Sequence, residues 1–173
     1  KYKQKMMIWL VTKQKELVDF ITNKYTQIKT VVKNINTKST NVILGQENEI
    51  LYGDGYIKDD LLGITFKISP MSFYQVNPIQ TEKLYKAVIE GANLTGKETI
   101  FDLYCGIGTI GICALKKAKY LYGIETVPQA IEDAKENAKI NNIENAEFIV
   151  GNVEEELPKL IVEKDVIPDV VFI

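Results

Sequence analysis

From Thr99 onward the chain alternates short, almost wholly apolar runs with longer stretches whose apolar residues recur three and four apart, and this alternation constrains the fold more than any other feature. The runs Thr99–Leu103, Tyr120–Glu125, Ala146–Val150 and Asp169–Ile173 read as strands; Thr109–Lys117, Pro128–Ile140 and Val153–Val162 read as helices. Strands this apolar are covered on both faces, and a β-α-β-α-β-α-β order predicts a parallel sheet with helices on either side. Right-handed crossovers make it a doubly wound α/β sheet. Ahead of it, Asn77-Pro78-Ile79-Gln80 predicts a helix start, with Asn77 as N-cap, Pro78 at the first helical position and Gln80 closing a capping box. Leu84, Ala87, Val88 and Gly91 follow at helical spacing. The last run stops without a turn, so the rest of the sheet is expected beyond Ile173.

Residues 1–70 follow a different pattern and predict a small α+β domain, incomplete at its start, ahead of an α/β domain over 71–173. Strands are expected at Met6–Val11 and Lys29–Ile35, and a helix at Lys13–Tyr25 with Leu17, Phe20 and Ile21 on one face. Asn41–Ile50, apolar at Val42, Ile43 and Leu44, leads to a turn at Tyr52-Gly53-Asp54-Gly55, and Gly63–Ser69 alternates as a half-buried strand. Nine lysines against two acids give Lys1–Gln46 a charge of +7, whereas Thr81–Ile173 carries −6. A basic front suggests contact with phosphates, a solvated lysine surface being the alternative. All 21 basic residues are lysines, which removes bidentate arginine recognition.

Two absences narrow the chemistry. Without histidine there is no imidazole base, and Cys105 and Cys113 form neither a disulfide framework nor a zinc site, so no metal is expected. No apolar run approaches the ~18–20 residues of a membrane-spanning helix, and a cytoplasmic protein is expected.

The candidate site is Phe101-Asp102-Leu103-Tyr104-Cys105-Gly106-Ile107-Gly108-Thr109-Ile110-Gly111, where the first parallel strand turns into its helix. Ligands of doubly wound sheets bind at the carboxyl ends of strands, near the switch point. Gly106 and Gly108 let the backbone turn tightly and approach a ligand. Read literally, Gly106, Gly108 and Gly111 form a G-x-G-x-x-G, so a dinucleotide is the rival ligand. Asp102 argues against it: a carboxylate at that place repels a pyrophosphate and attracts the ammonium of S-adenosylmethionine. Glu125 ends the next strand, 23 residues on, where an acid bonds a ribose diol. Asn152, after the third strand, is placed to read an adenine edge. Alternatively, Asp102 caps the following helix and Glu125 serves the N-terminus of the helix at Pro128. Cys105 reads as a small apolar filler.

Asp102-Leu103-Tyr104-Cys105-Gly106-Ile107-Gly108 resembles the cofactor loop of the RNA uracil-C5 methyltransferases. Ser69-Pro70-Met71-Ser72-Phe73-Tyr74-Gln75-Val76-Asn77-Pro78 resembles that family's more selective F-x-Q-V-N segment. Asn41–Gly45, Leu51–Gly53, Gly123–Glu125 and Gly151–Glu155 fit in the right order, so the likeness runs from about Val31 to Ile173. It implies a Rossmann-like class I methyltransferase domain, S-adenosylmethionine as cofactor, and RNA, ribosomal before transfer, as partner of a full-length monomer. It also implies that Gln75, Tyr104, Thr109, Glu125 and Asn152 contact the cofactor and that Phe73 sits beside the target base; the residues alone also allow Phe73 as a core aromatic. The family's D-P-P-R segment, its cysteine that adds to uracil C6 and its general base are expected beyond Ile173, which leaves this chain to seat the cofactor without performing the transfer.

Overall fold

The computed structural model describes residues 6–9, 15–37, 43–45 and 47–173. Its elements are β1 (Met6–Trp9), α1 (Lys15–Lys24), β2 (Ile28–Ile35), β3 (Glu47–Gly53), β4 (Ile57–Leu61), β5 (Ile64–Ile68), α2 (Pro78–Gly91), β6 (Thr99–Leu103), α3 (Thr109–Ala114, running into a 3-10 turn at Leu115–Lys117), β7 (Tyr120–Glu125), α4 (Pro128–Ile140), β8 (Ala146–Val150), α5 (Val153–Glu163) and β9 (Val170–Phe172). Leu10, Val11, Lys13, Lys38, Asn41 and Val42, all parts of the expectations above, lie outside the described residues. The chain divides into two units: one takes the described residues of Lys1–Asp59 and Lys67–Met71, the other Asp60–Phe66 and Ser72–Ile173.

In the first unit β2 pairs parallel with β1 and antiparallel with β3. Val18 of α1 packs with Ile28 and Val31, and Ile21 and Leu51 lie against them. The expected helix face is therefore rotated: Phe20 is 58% exposed, with the Lys24 ammonium 5.3 Å from its ring. β3 runs to Gly53, which pairs with Thr30, so the anticipated turn is confined to Asp54 and Gly55. Lys33 faces Glu49 across the ladder; the lysine is nearly buried and pairs with the half-exposed Glu49 carboxylate, so this lysine of the basic front is not available to phosphate. β4, rich in Lys58, Asp59 and Asp60, gave no strand signal; it pairs with β5 through Leu62 and Gly63, both at positive φ (53° and 72°). Two such residues make a hairpin turn whose twist matches the strands, and leucine there is an uncommon choice that hides the turn from the sequence.

The second unit holds a four-stranded parallel sheet in the order β8-β7-β6-β9, as the alternating pattern predicts. Successive side chains of a strand point to opposite faces. Phe101 and Leu103 of β6 pack with Ile124 of β7 against Val153 and Leu160 of α5. Asp102 turns the other way, to α3, where its Oδ2 accepts the Gly111 N–H at 3.0 Å. α4 buries Ile131, Ala134 and Ala138 together with Asn137. Helices thus cover both faces.

α2 starts as predicted, with Asn77 Oδ1 accepting the Gln80 N–H. Its inner face is not Leu84, Ala87, Val88 and Gly91 but Thr81, Tyr85 and Ile89, four apart; Leu84 is 56% exposed. Polar groups can be buried when each has a partner. The Thr81 hydroxyl donates to the Asn77 carbonyl at 2.8 Å, and the Tyr85 phenol pairs with Thr109.

Candidate cofactor site

The order β8-β7-β6-β9 places the switch of strand direction between β6 and β9: the chain winds outward through β7 and β8, then returns to the far side of β6. A cleft of about 230 Å³ opens at the carboxyl ends of those two strands, lined among others by Tyr104, Gly106 and Phe172. Ligands of such sheets bind at this position.

The cleft gathers six of the expected residues: Phe73, Gln75, Asp102, Tyr104, Gly106 and Thr109. Glu125 and Asn152 stand outside it, at the ends of β7 and β8, so the candidate residues follow the tips of adjacent strands in sequence. Phe73 is 76% exposed and therefore no core aromatic. Gly106 has φ 55°, and a methyl group added to it would have no described atom within 4 Å, so this turn presents bare backbone to the cleft. Tyr104 adopts φ 65°, strained for a residue with a side chain. Its ring is half-exposed at the mouth, with the hydroxyl 3.5 Å from Glu154.

The two acids have structural duties as well. Asp102 is 3% exposed and bonds Gly111 at the third position of α3, so the capping role is real. Glu125 bends back on its own turn: Oε1 accepts from the N–H groups of Thr126 (2.7 Å) and Val127 (3.1 Å), and Oε2 from Gly106 N–H at 3.2 Å. This last bond ties Glu125 to the glycine turn. Each carboxylate oxygen accepts two bonds, so Oε2 keeps capacity for a further donor. Asn152 is the N-cap of α5 without a side-chain cap bond, its carbonyl accepting from Glu155 and Glu156.

The sequence reading missed Tyr85 and Asn137. Asn137 is fully buried and donates to the Ile107 carbonyl at 3.2 Å, which anchors the glycine turn to α4. One turn on, the Asn141 amide accepts from Thr65 N–H and donates to Thr65 C=O, a side-chain imitation of a strand pair. An asparagine at i and i+4 on the inner face of a helix was the available signal.

Burial raises the Asp102 carboxyl from 3.8 to about 7, against the opposing bond from Gly111. The folded state then holds the proton more tightly than the unfolded chain. Stability is greatest below 3.8 and falls as the pH rises through about 7. Asp102→Asn retains an acceptor for Gly111 and cannot ionise. Its melting temperature, relative to the unaltered protein, is expected to climb between pH 4 and 7; a difference independent of pH would refute the raised carboxyl. Among the described residues no cluster of His, Cys, Asp or Glu is arranged for a metal, and no helix is long and apolar enough to cross a membrane.

Residues 94–173 match a family described as "Methyltransferase domain". An uncharacterized RNA methyltransferase of Clostridium acetobutylicum is 55% identical over 94% of this chain and 35% of its own length. One from Oceanobacillus iheyensis is 44% identical over 99% of this chain and 39% of its own. The chain thus spans little more than a third of these relatives. Among solved structures, the Pyrococcus abyssi tRNA (uracil-54, C5)-methyltransferase in complex with S-adenosyl-L-homocysteine is 31% identical with a TM-score of 0.68, over 86% of this chain and 36% of that one. The sheet that begins at Thr99 is the Rossmann-like parallel sheet of a methyltransferase domain.

Proposed function

We propose that this chain seats S-adenosylmethionine for methyl transfer to uracil C5 in RNA. The observation that carries the reading is the lack of positive charge in the cleft: among the described residues its lining includes the buried Asp102 carboxyl, which a bound ammonium would draw into its ionised form, and neither lysine nor arginine. A pyrophosphate has no counter-charge there, whereas a ligand bearing an ammonium and a sulfonium is matched. The cofactor supplies an electrophilic methyl group. Asp102 holds its ammonium, Gln75 and Thr109 hydrogen-bond its amino-acid end, and the Tyr104 ring covers the turn. Glu125 takes the ribose hydroxyls through Oε2, and Asn152 the adenine edge. Phe73, exposed at the cleft, offers a face on which a uracil drawn out of its RNA stack can lie.

The RNA methyltransferases it is similar to support RNA as substrate class, and the Pyrococcus tRNA (uracil-54, C5)-methyltransferase supports uracil C5. Ribosomal RNA is our first expectation, and transfer RNA is tested beside it. Calorimetry against S-adenosylhomocysteine is expected to show binding that NAD does not compete. Tight NAD binding without a response to S-adenosylhomocysteine refutes the reading. Asp102→Asn should weaken binding by about 1–3 kcal/mol, the scale of a lost charge-assisted hydrogen bond.

A further inference from the structure

The cleft contains a buried phenol, Tyr85, to which the proposed contacts give no role. Tyr85 is 7% exposed on α2, and its phenol oxygen lies 2.8 Å from Thr109 Oγ1, at the first position of α3. Both residues line the cleft. Thr22 and Thr81 show the usual arrangement of a helical threonine, their hydroxyls donating to the carbonyl four residues earlier at 2.8 Å. Thr109, the first residue of α3, has no helical carbonyl four residues earlier and pairs with Tyr85. A phenol is more acidic than an aliphatic hydroxyl and is the better donor of the two. Burial raises its pKa further, so it keeps its proton at neutral pH. With Tyr85 donating, Thr109 Oγ1 accepts and must direct its own proton to another acceptor.

The amino-acid end of the cofactor is a zwitterion. Its ammonium has Asp102, but its carboxylate finds no cation among the lining residues and must be met by neutral donors. We propose that Tyr85 is a positioning residue for that carboxylate: its phenol donates to Thr109 Oγ1 and so turns the Thr109 proton into the cleft. This inference rests on the cofactor reading above.

The test compares S-adenosylhomocysteine with 5′-methylthioadenosine, which keeps the nucleoside and thioether but has no amino-acid end. Tyr85→Phe keeps the ring and removes the donor. By calorimetry on the 173-residue chain, it is expected to weaken S-adenosylhomocysteine about tenfold and to leave 5′-methylthioadenosine unchanged. Thr109→Val should do at least the same, the double variant should add less than twofold to it, and Thr109→Ser should restore affinity. Equal losses for both ligands, no loss for either, or additive losses in the double variant would overturn the role of Tyr85 while leaving the cofactor reading in place. An unaltered chain that binds neither ligand overturns the cofactor reading, and this inference with it.

Discussion

Given tritiated methyl donor and a transfer RNA transcript, this chain is expected to put no label on uracil, at a rate at least about 10⁴-fold below that of the Pyrococcus enzyme run beside it. The expectation comes from its thiols. Uracil C5 is a weak nucleophile until a thiolate has added at C6, and only the thiolate form of a cysteine attacks. Cys105 is 6% exposed under the glycine turn, where burial and the nearby Asp102 and Glu125 carboxylates hold its thiol well above the usual range. Cys113 is 4% exposed, its sulfur 3.7 Å from the Leu61 carbonyl, and burial pushes its thiol up to about 12. At pH 7 such a thiol is ionised in roughly one molecule in 10⁵. With 0 histidines in the chain, no imidazole is at hand to activate either cysteine. Label at C5 that disappears in Cys105→Ala would overturn the assignment of that residue as packing.

The parallel sheet was legible in the sequence because its strands are short, apolar and separated by helices with their own start signals. β6, β7, β8 and α4 coincide with the runs read from the sequence. The glycine turn was legible for the same reason: a strand that ends in an acid and opens into three glycines leaves few alternatives. Failures came where tertiary partners decide. α2 presents two faces of similar hydropathy, and the one carrying Thr81 and Tyr85 is buried because Asn77 and Thr109 satisfy their hydroxyls. β4 is a strand by virtue of its partner β5, not its own composition. Lys33 counted toward a basic surface because a sum of charges cannot see Glu49 opposite it. Glu125 and Asp102 were read as either ligand contacts or structural caps; the geometry gives both a structural bond and leaves their ligand role to binding measurements.

Gly106 of the turn and Gly111 in the helix that follows should separate fold from ligand when replaced. At Gly111 a Cβ would meet Asp102 Oδ2 at 2.6 Å and Leu121 Cδ1 at 2.8 Å, both on residues no more than 3% exposed, so neither neighbour has room to yield. Gly111→Val therefore overpacks the contact between α3 and β6 and disturbs the bond that satisfies a buried carboxylate. Overpacking costs about 1–3 kcal/mol and an unsatisfied buried polar group about as much again, so the sum, roughly 2–6 kcal/mol, removes a large part of a domain's stability. A fall in melting temperature of at least about 10 °C is expected, with ligand binding lost only as a consequence of unfolding. Gly106 is the opposite case. Its φ of 55° suits asparagine better than other side chains, and the added atoms would project into the cleft, with no described atom within 4 Å of the first of them. Gly106→Asn should leave the melting temperature within a few degrees while weakening S-adenosylhomocysteine by about 100-fold or more, since side chain and ligand claim the same space. Calorimetry and thermal unfolding on the two variants decide both halves. Undiminished binding in Gly106→Asn would remove the ligand from the turn, and an unshifted melting temperature in Gly111→Val would show that α3 can move off the sheet at little cost.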